Sequence, residues 1–172
     1  MTCHAYSRTD RRKSMTCHVY SESVEDVEEL RYLILGAQRE GARALADLLR
    51  PAGLTPAQGE VLVVLEEAPA PLTVREIGER LVCEGGSPSR LVASLVDAGL
   101  LRRGDRPGDR RAVELSLTDS GAKAAEHVRR AEAELHAWLG SALGEREIAA
   151  TAKALRKLVA GRPPGDAIAR RG

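Results

Sequence analysis

Apolar residues recur at three- and four-residue steps along most of this chain, which is the spacing of helices that bury one side. The first such pattern runs from about Ser23 to Pro51 and has charged residues on the opposite side. One segment differs, because Val113, Leu115 and Leu117 alternate with polar residues as in a half-buried strand. The predicted helices cover residues 23–50, 56–68, 74–82, 88–98, 119–143 and 145–159.

Capping residues mark where these helices begin and end. The segments Thr55-Pro56-Ala57-Gln58 and Thr73-Val74-Arg75-Glu76 each have threonine at the N-cap and Gln or Glu three residues later, which is a capping box. Ser87-Pro88 starts the fourth helix after a Gly-Gly break, and Gly99 follows its end. The third and fourth helices, joined by a short turn with glycines, therefore predict a helix-turn-helix.

The segment after this helix pair has the features of a β-hairpin with a basic tip. Leu100-Leu101 and the alternating strand pattern flank a loop that is rich in arginine and has Pro107-Gly108 at its centre. Proline fixes φ for a turn and glycine tolerates a positive φ. A helix-turn-helix followed directly by a hairpin is the order of a winged helix. The predicted fold class is mainly α with a small β-hairpin wing (α+β).

Composition limits the possible partners. The chain has 172 residues, a net charge of +1 and no phenylalanine, so its core must be aliphatic and a nucleic acid would need a local basic patch. The segment from Ser87 to Arg111 contains six arginines and three aspartates, so its net charge is positive. The sequence has no apolar run near the ~18 residues of a membrane span and no signal-peptide pattern, so we expect a cytoplasmic protein without membrane contact.

The two ends of the chain lack a sustained amphipathic pattern. MTCHAYS at 1–7 recurs as MTCHVYS at 15–21, which indicates either a duplicated segment or a translation start at Met15. We expect residues 1–22 and 161–172 to be disordered tails and residues 23–160 to form one unit. The Cys3-His4 and Cys17-His18 pairs lack the spacing of zinc ligands, so we expect no metal site.

Several motifs together carry a family resemblance. They are Leu54-Thr55-Pro56-Ala57-Gln58, Leu72-Thr73-Val74-Arg75-Glu76-Ile77-Gly78, Ser87 to Arg90, Gly99-Leu100-Leu101-Arg102-Arg103, Asp105-Arg106-Pro107-Gly108-Asp109-Arg110-Arg111 and Leu117-Thr118-Asp119-Ser120-Gly121. From about residue 25 to 160 the chain resembles the MarR family of bacterial transcription regulators. The resemblance implies a homodimer that binds double-stranded DNA at a pseudo-palindromic operator. The winged-helix lobe would cover about 54–118, with dimerisation helices at 23–50 and 119–160.

The candidate DNA-binding residues lie in two places. The N-terminal residues of a recognition helix face base edges in the major groove, and here the candidates are Ser87, Pro88, Ser89 and Arg90, with Ser94 one turn later. In the wing, the resemblance implies that Asp109 orients the guanidinium of Arg111 towards a minor groove. The complete set of wing candidates is Arg106, Asp109, Arg110 and Arg111. A plain solvated surface is the alternative for both places.

The resemblance also implies control by a small effector. Small aromatic or phenolic ligands would bind between the dimerisation helices and the DNA-binding lobe, with Tyr32, Arg39, His136 and Trp138 as candidate lining residues. Ordinary packing is the alternative for His136 and Trp138. Cys83 directly precedes the recognition helix, whose N-terminus would favour its thiolate while Glu84 opposes it, so Cys83 is either a redox switch or an inert buried residue.

The sequence favours a regulator over an enzyme. No catalytic constellation or phosphate-binding glycine loop occurs in a segment with a clear structural pattern, so we predict no cofactor. The leading hypothesis is a homodimeric repressor that a small ligand or an oxidant releases from its operator. The alternatives are a winged helix used for protein–protein contact and a redox sensor that acts through Cys83.

Overall fold

A computed structural model describes residues 11–82, 87–106 and 109–171, with side chains described for 24–82, 87–105 and 113–171. Seven helices and three short strands alternate along this part of the chain, and a 3₁₀ turn follows the first helix at Arg50–Ala52. The elements are α1 (Arg11–Leu49), α2 (Pro56–Glu67), β1 (Leu72–Thr73), α3 (Val74–Gly78), α4 (Pro88–Asp97), β2 (Leu101–Arg106), β3 (Asp109–Leu117), α5 (Asp119–Ala142), α6 (Glu145–Val159) and α7 (Pro163–Ala169).

The hydrophobic core is centred on α2, which is apolar on several sides because other elements surround it. Its residues from Val61 to Leu65 are all buried. On α5, Ala125 and Val128 are buried in the same cluster. Gly59 allows the close approach of the two helices, since a Cβ there would lie 3.2 Å from Val128 Cγ1. The N-terminal half of α5 is therefore fixed on the lobe that contains α2.

The strands form one antiparallel sheet in the order β1-β3-β2. Leu101 pairs with Leu117 and both Leu101 and Leu115 are buried, which fixes the register of the hairpin. The pairing becomes irregular between Asp105 and Arg106, near the tip. The mainly helical winged-helix fold with a small β-hairpin is therefore confirmed. The sequence pattern did not predict β1, whose two residues pair with β3 at Leu115 and Glu114.

The two predicted capping boxes are confirmed, but the third helix is shorter than predicted. Thr55 and Thr73 both form complete capping boxes, and Thr118 accepts from the backbone N–H of Gly121. The prediction that the third helix continues to Val82 was wrong, because α3 ends at Gly78. The backbone N–H of Val82 donates to Glu60 Oε1 at 2.8 Å, which is a bond outside the helix.

The contacts divide the chain into two compact units at Gly41, where the sequence predicted one unit over 23–160. In the described part of the first unit the chain is helical, with apolar side chains such as Val27 and Leu33 exposed. This helix begins at Arg11, so the prediction of a disordered tail over 1–22 was wrong for residues 11–22. Residues 11–22 contain no glycine or proline that would end a helix.

The prediction of a disordered tail after Gly161 was also wrong. Gly161 adopts a positive φ of 67°, and two prolines then begin α7 in the helical positions that tolerate them. A Cβ at Gly165 would lie 2.2 Å from the carbonyl oxygen of Val159, so the turn between α6 and α7 requires glycine there. Ala167 is buried.

No helix in the described part of the chain is long and apolar enough to cross a membrane.

Candidate nucleic-acid interface

Helix α4 separates an apolar side from a polar side. Val92 and Leu95 are 2% and 0% exposed and belong to the core. Ser87, Ser89 and Arg90 are exposed at the N-terminal end of the helix. Within the described residues, no carboxylate forms an ion pair with Arg90. The helix therefore offers two hydroxyls and a guanidinium to solvent, which are groups that can hydrogen-bond to bases or phosphates.

Pro88 has a packing role in this helix pair. It is half-buried, and a Cβ at Gly78 would lie 3.1 Å from Pro88 Cγ. The ring of Pro88 therefore contacts α3, and glycine at position 78 permits the close approach. Ser87 is the N-cap of α4, but its side chain makes no capping hydrogen bond.

Ser94 connects α4 to α2. Its hydroxyl donates to the carbonyl oxygen of Leu91 at 2.8 Å and accepts from Gln58 Nε2 at 3.1 Å. The side-chain oxygen of Gln58 in turn accepts from the backbone N–H of Thr55 at 3.0 Å. Ser94 was predicted to contact DNA, and the structure shows that its hydroxyl already has two partners within the protein.

The base of the wing is described in side-chain detail, and its tip is not. Arg102 Nε donates to Ser116 Oγ at 2.8 Å across the hairpin, and Arg103 and Asp105 are exposed. Arg106 pairs with Asp109 in the backbone register. The side chains of the wing candidates Arg106, Asp109, Arg110 and Arg111 lie outside the described residues, and so does the predicted turn at Pro107-Gly108.

A network of bonds joins the base of the wing to α5. The backbone N–H of Thr118 donates to Leu100 O at 3.0 Å, and its hydroxyl donates to Gly99 O at 2.7 Å. The same hydroxyl accepts from the backbone N–H of Gly121 at 3.0 Å. A Cβ at Gly121 would lie 2.0 Å from Leu100 O, so α5 can begin this close to the wing only with glycine there. The Leu-Thr-x-x-Gly segment is therefore a tight structural junction.

Arg129 makes a second connection between α5 and the lobe. Its Nε and Nη2 donate to Glu66 Oε2 at 2.9 Å and Glu67 Oε1 at 2.8 Å, at the C-terminal end of α2. Partial burial alone would lower the pKa of Arg129. The hydrogen bonds to the Glu66 and Glu67 carboxylates outweigh this effect, and the net result is a raised pKa. The guanidinium therefore stays charged, and the bidentate contact orients α5 relative to α2.

The predicted effector residues are exposed side chains in the described structure. Tyr32 and Arg39 are exposed in the first unit. The Arg31 guanidinium lies 4.2 Å from the centroid of the Tyr32 ring. His136 and Trp138 are exposed on α5. Two clefts occur in the second unit, of about 680 and 260 Å³, and other residues line both of them. Cys83 lies outside the described residues.

Sequence reasoning missed three residues near the helix-turn-helix. Glu60 is a buried acid, and its Oε1 accepts from the backbone N–H of Val82 and from Arg171 Nη1, both at 2.8 Å. Arg170 Nη1 donates to the carbonyl oxygen of Glu79 at 3.1 Å. The sequence signal for Glu60 was a single acid at the start of the apolar run of α2. Arg170 and Arg171 gave no signal in a segment that was predicted to be disordered.

Comparisons with known proteins agree with this geometry. A family model described as the MarR family matches residues 52–112. The HTH-type transcriptional regulator TtmR of Methylorubrum extorquens is 36% identical over 112 residues, which are 64% of this chain and 56% of that protein. The chain thus spans a little over half the length of this curated relative.

Two structures of protein–DNA complexes are also similar to the chain. The first is a cysteine-to-serine mutant of MarR from E. coli complexed with operator DNA, with a TM-score of 0.69, 30% identity, and coverage of 78% of this chain and 96% of that one. The second is the MepR–DNA complex of S. aureus, with a TM-score of 0.69, 27% identity, and coverage of 75% and 95%.

Proposed function

Since the chain belongs to the MarR family, we propose that it is a transcriptional regulator that binds double-stranded DNA as a homodimer. The observation that carries this proposal is the exposed N-terminal end of α4, next to a hairpin in the position of a wing. Two solved relatives with this fold are complexes with DNA, which supports the same use of the surface here.

The chemistry of the surface fits a duplex. The major groove is about 12 Å wide and admits a helix, and arginine can donate two hydrogen bonds to guanine. Ser87 and Ser89 carry hydroxyls that can donate or accept, and Arg90 is exposed beside them. Arg103 is exposed on β2 and adds positive charge on the wing, where it can contact phosphates.

The proposal of a homodimer rests on apolar side chains that the single chain leaves uncovered. Helix α6 has no buried residue, and Ile148 and Leu155 are each 40% exposed. On α5, Trp138 and Leu139 are also exposed near the C-terminal end. An exposed apolar surface of this kind marks an interface, and a two-fold dimer matches a palindromic DNA site.

We further propose that the protein represses transcription and that a small ligand releases it from DNA. The bonds of Thr118 to Gly99 and Leu100 provide a path for the release, because they couple the start of α5 to the base of the wing. A ligand that displaces α5 would therefore change the position of the wing.

Selection of bound sequences from a random duplex pool tests the proposed DNA binding. We expect a site with two symmetric halves, and recovery of no preferred sequence would contradict the proposal of DNA binding.

Arg90→Ala tests the recognition helix separately. We expect binding to the selected site to weaken by about 1–3 kcal/mol and preference at one position in each half-site to relax, as for an arginine that contacts a base. Lys123→Ala, which removes the same charge from an exposed position on α5, is the control. Equal effects of the two substitutions would show that Arg90 contributes only general charge.

A further inference from the structure

The two arginines that follow the C-terminal helix α7 bond to α2 and to the residue after α3 in the same chain. Ala167 is buried, and the guanidinium of Arg170 donates to the carbonyl oxygen of Glu79, just after α3. A cleft of about 680 Å³ separates the rest of α7 from α3 and α4, with Gly78 and Pro88 on one side and Pro163 and Asp166 on the other. The attachment of α7 is therefore made by specific polar bonds near its C-terminal end.

The most enclosed of these bonds involves Glu60. Glu60 is 7% exposed, and one oxygen, Oε1, accepts from two donors that belong to distant parts of the chain. The donors are the backbone N–H of Val82 and the guanidinium of Arg171, each at 2.8 Å. A carboxylate with so little solvent contact requires charged or hydrogen-bonding partners. Arg171 therefore holds the Glu60 side chain in place, and Glu60 holds the backbone of Val82.

Val82 lies after α3 in the chain and outside any helix. It is the last described residue before the connection to Ser87, the N-cap of α4. At the start of α4, Pro88 packs against Gly78 of α3. The entry to the proposed DNA-contacting helix is thus fixed by one packing contact and by the Glu60 bond.

We propose that Arg171 and Glu60 are positioning residues for α4, so that docking of α7 sets the affinity of the protein for DNA. This inference rests on the proposed function, since its effect is on the DNA-contacting helix. The connection runs from Arg171 through the Glu60 carboxylate to the N–H of Val82. Release of α7 would remove the guanidinium from the Glu60 carboxylate and loosen the backbone at Val82.

Hydrogen exchange in the full-length protein without DNA tests the first step. In Arg171→Ala, we expect the Val82 amide to exchange at least about tenfold faster, because its acceptor, Glu60, loses the guanidinium that helps to hold it. Arg162→Ala removes the same charge at the exposed start of α7 and should leave this amide unchanged. An unchanged exchange rate in Arg171→Ala would overturn the proposal.

DNA binding by the same variants tests the second step. We expect Arg171→Ala and Glu60→Gln each to weaken binding to the selected duplex roughly five- to tenfold. The double variant should bind no worse than the weaker single variant, because the two residues act through one contact. The slope of affinity against salt should not change, since neither residue is proposed to contact a phosphate.

Two results of the binding experiment would overturn the inference. The first is affinity equal to that of the unsubstituted protein in both variants. The second is a smaller salt slope in Arg171→Ala, by about 1, with no loss in Glu60→Gln, which would make Arg171 a direct phosphate contact. If the unsubstituted protein binds no duplex, the proposed function fails, and the exchange of the Val82 amide still decides whether α7 fixes the backbone at Val82.

Discussion

Helices α4 and α6 have similar amphipathic patterns, but the chain buries only one of them. Helix α4 places Val92 and Leu95 in the core, between α2, α3 and β2. Helix α6 packs on α7, and its apolar residues Ile148 and Leu155 stay 40% exposed. The difference shows that an amphipathic sequence predicts a helix with a buried side, but not whether its own chain or a second chain covers that side.

The two helices therefore have different exposed surfaces. In α4 the apolar side is covered, so the polar end with Ser87, Ser89 and Arg90 is left for a ligand. In α6 the apolar side is exposed, and it is the surface that we propose for the interface between chains. The proposed DNA contact and the proposed dimer contact thus result from one physical rule applied to two helices.

The largest expected effect comes from truncating a leucine in each helix. Leu95→Ala removes a fully buried side chain, and we expect the free energy of unfolding to fall by about 2–5 kcal/mol. Leu155→Ala should lower it less and only where dimers form, so its effect should depend on protein concentration. Urea unfolding at two protein concentrations measures both. Equal losses that do not depend on concentration would contradict the distinction between the helices.

A second comparison concerns the junction that connects the wing to α5. In Gly121→Ala the new Cβ would meet the carbonyl oxygen of Leu100, so we expect a loss of about 1–3 kcal/mol from forced displacement. Gly140→Ala lies in the same helix, has open space around it and should stabilise by about 0.5–1 kcal/mol. The midpoints of thermal unfolding of the two variants should shift in opposite directions, because only position 121 is crowded. A higher midpoint for Gly121→Ala would show that the junction is not tight.

The smallest expected effect tests the bond between α4 and α2. Ser94→Ala removes the acceptor of Gln58 Nε2, and we expect a loss of about 0.5–1.5 kcal/mol in the free energy of unfolding. Ser141→Ala is the matched control, because Ser141 also donates to the carbonyl three residues earlier, on Trp138, and is exposed on α5. If both variants lose the same amount, the contact with Gln58 adds nothing to stability.

Much of the fold could be predicted because its signals are local. The capping boxes at Thr55 and Thr73 and the glycine at position 99 mark helix ends directly in the sequence. The alternation of Val113, Leu115 and Leu117 likewise marks one strand of the wing. These features depend on neighbours within a few residues, so no knowledge of the tertiary structure is needed.

The missed features depend on distant partners. Strand β1 has two residues and exists through its pairing with β3. The end of α3 depends on Glu60. This residue lies 22 positions before Val82 and accepts a hydrogen bond from the backbone N–H of Val82. Helix α7 starts with two prolines, and the arginines at its end bond to Glu60 and Glu79 across most of the sequence. No local pattern carries such contacts, so the C-terminal part of the candidate site could not be predicted.

The number of chains bound to one duplex tests the central claim most directly. Sedimentation of the complex with the selected duplex should show two chains per duplex. Leu155→Glu should be monomeric and bind weakly, because it places a charge on the exposed apolar side of α6. Lys157→Gln, with the same change in net charge on the opposite side of that helix, should behave as the unsubstituted protein. One chain per duplex, or full binding by Leu155→Glu, would contradict the proposal that α6 forms the dimer that α4 needs to bind DNA.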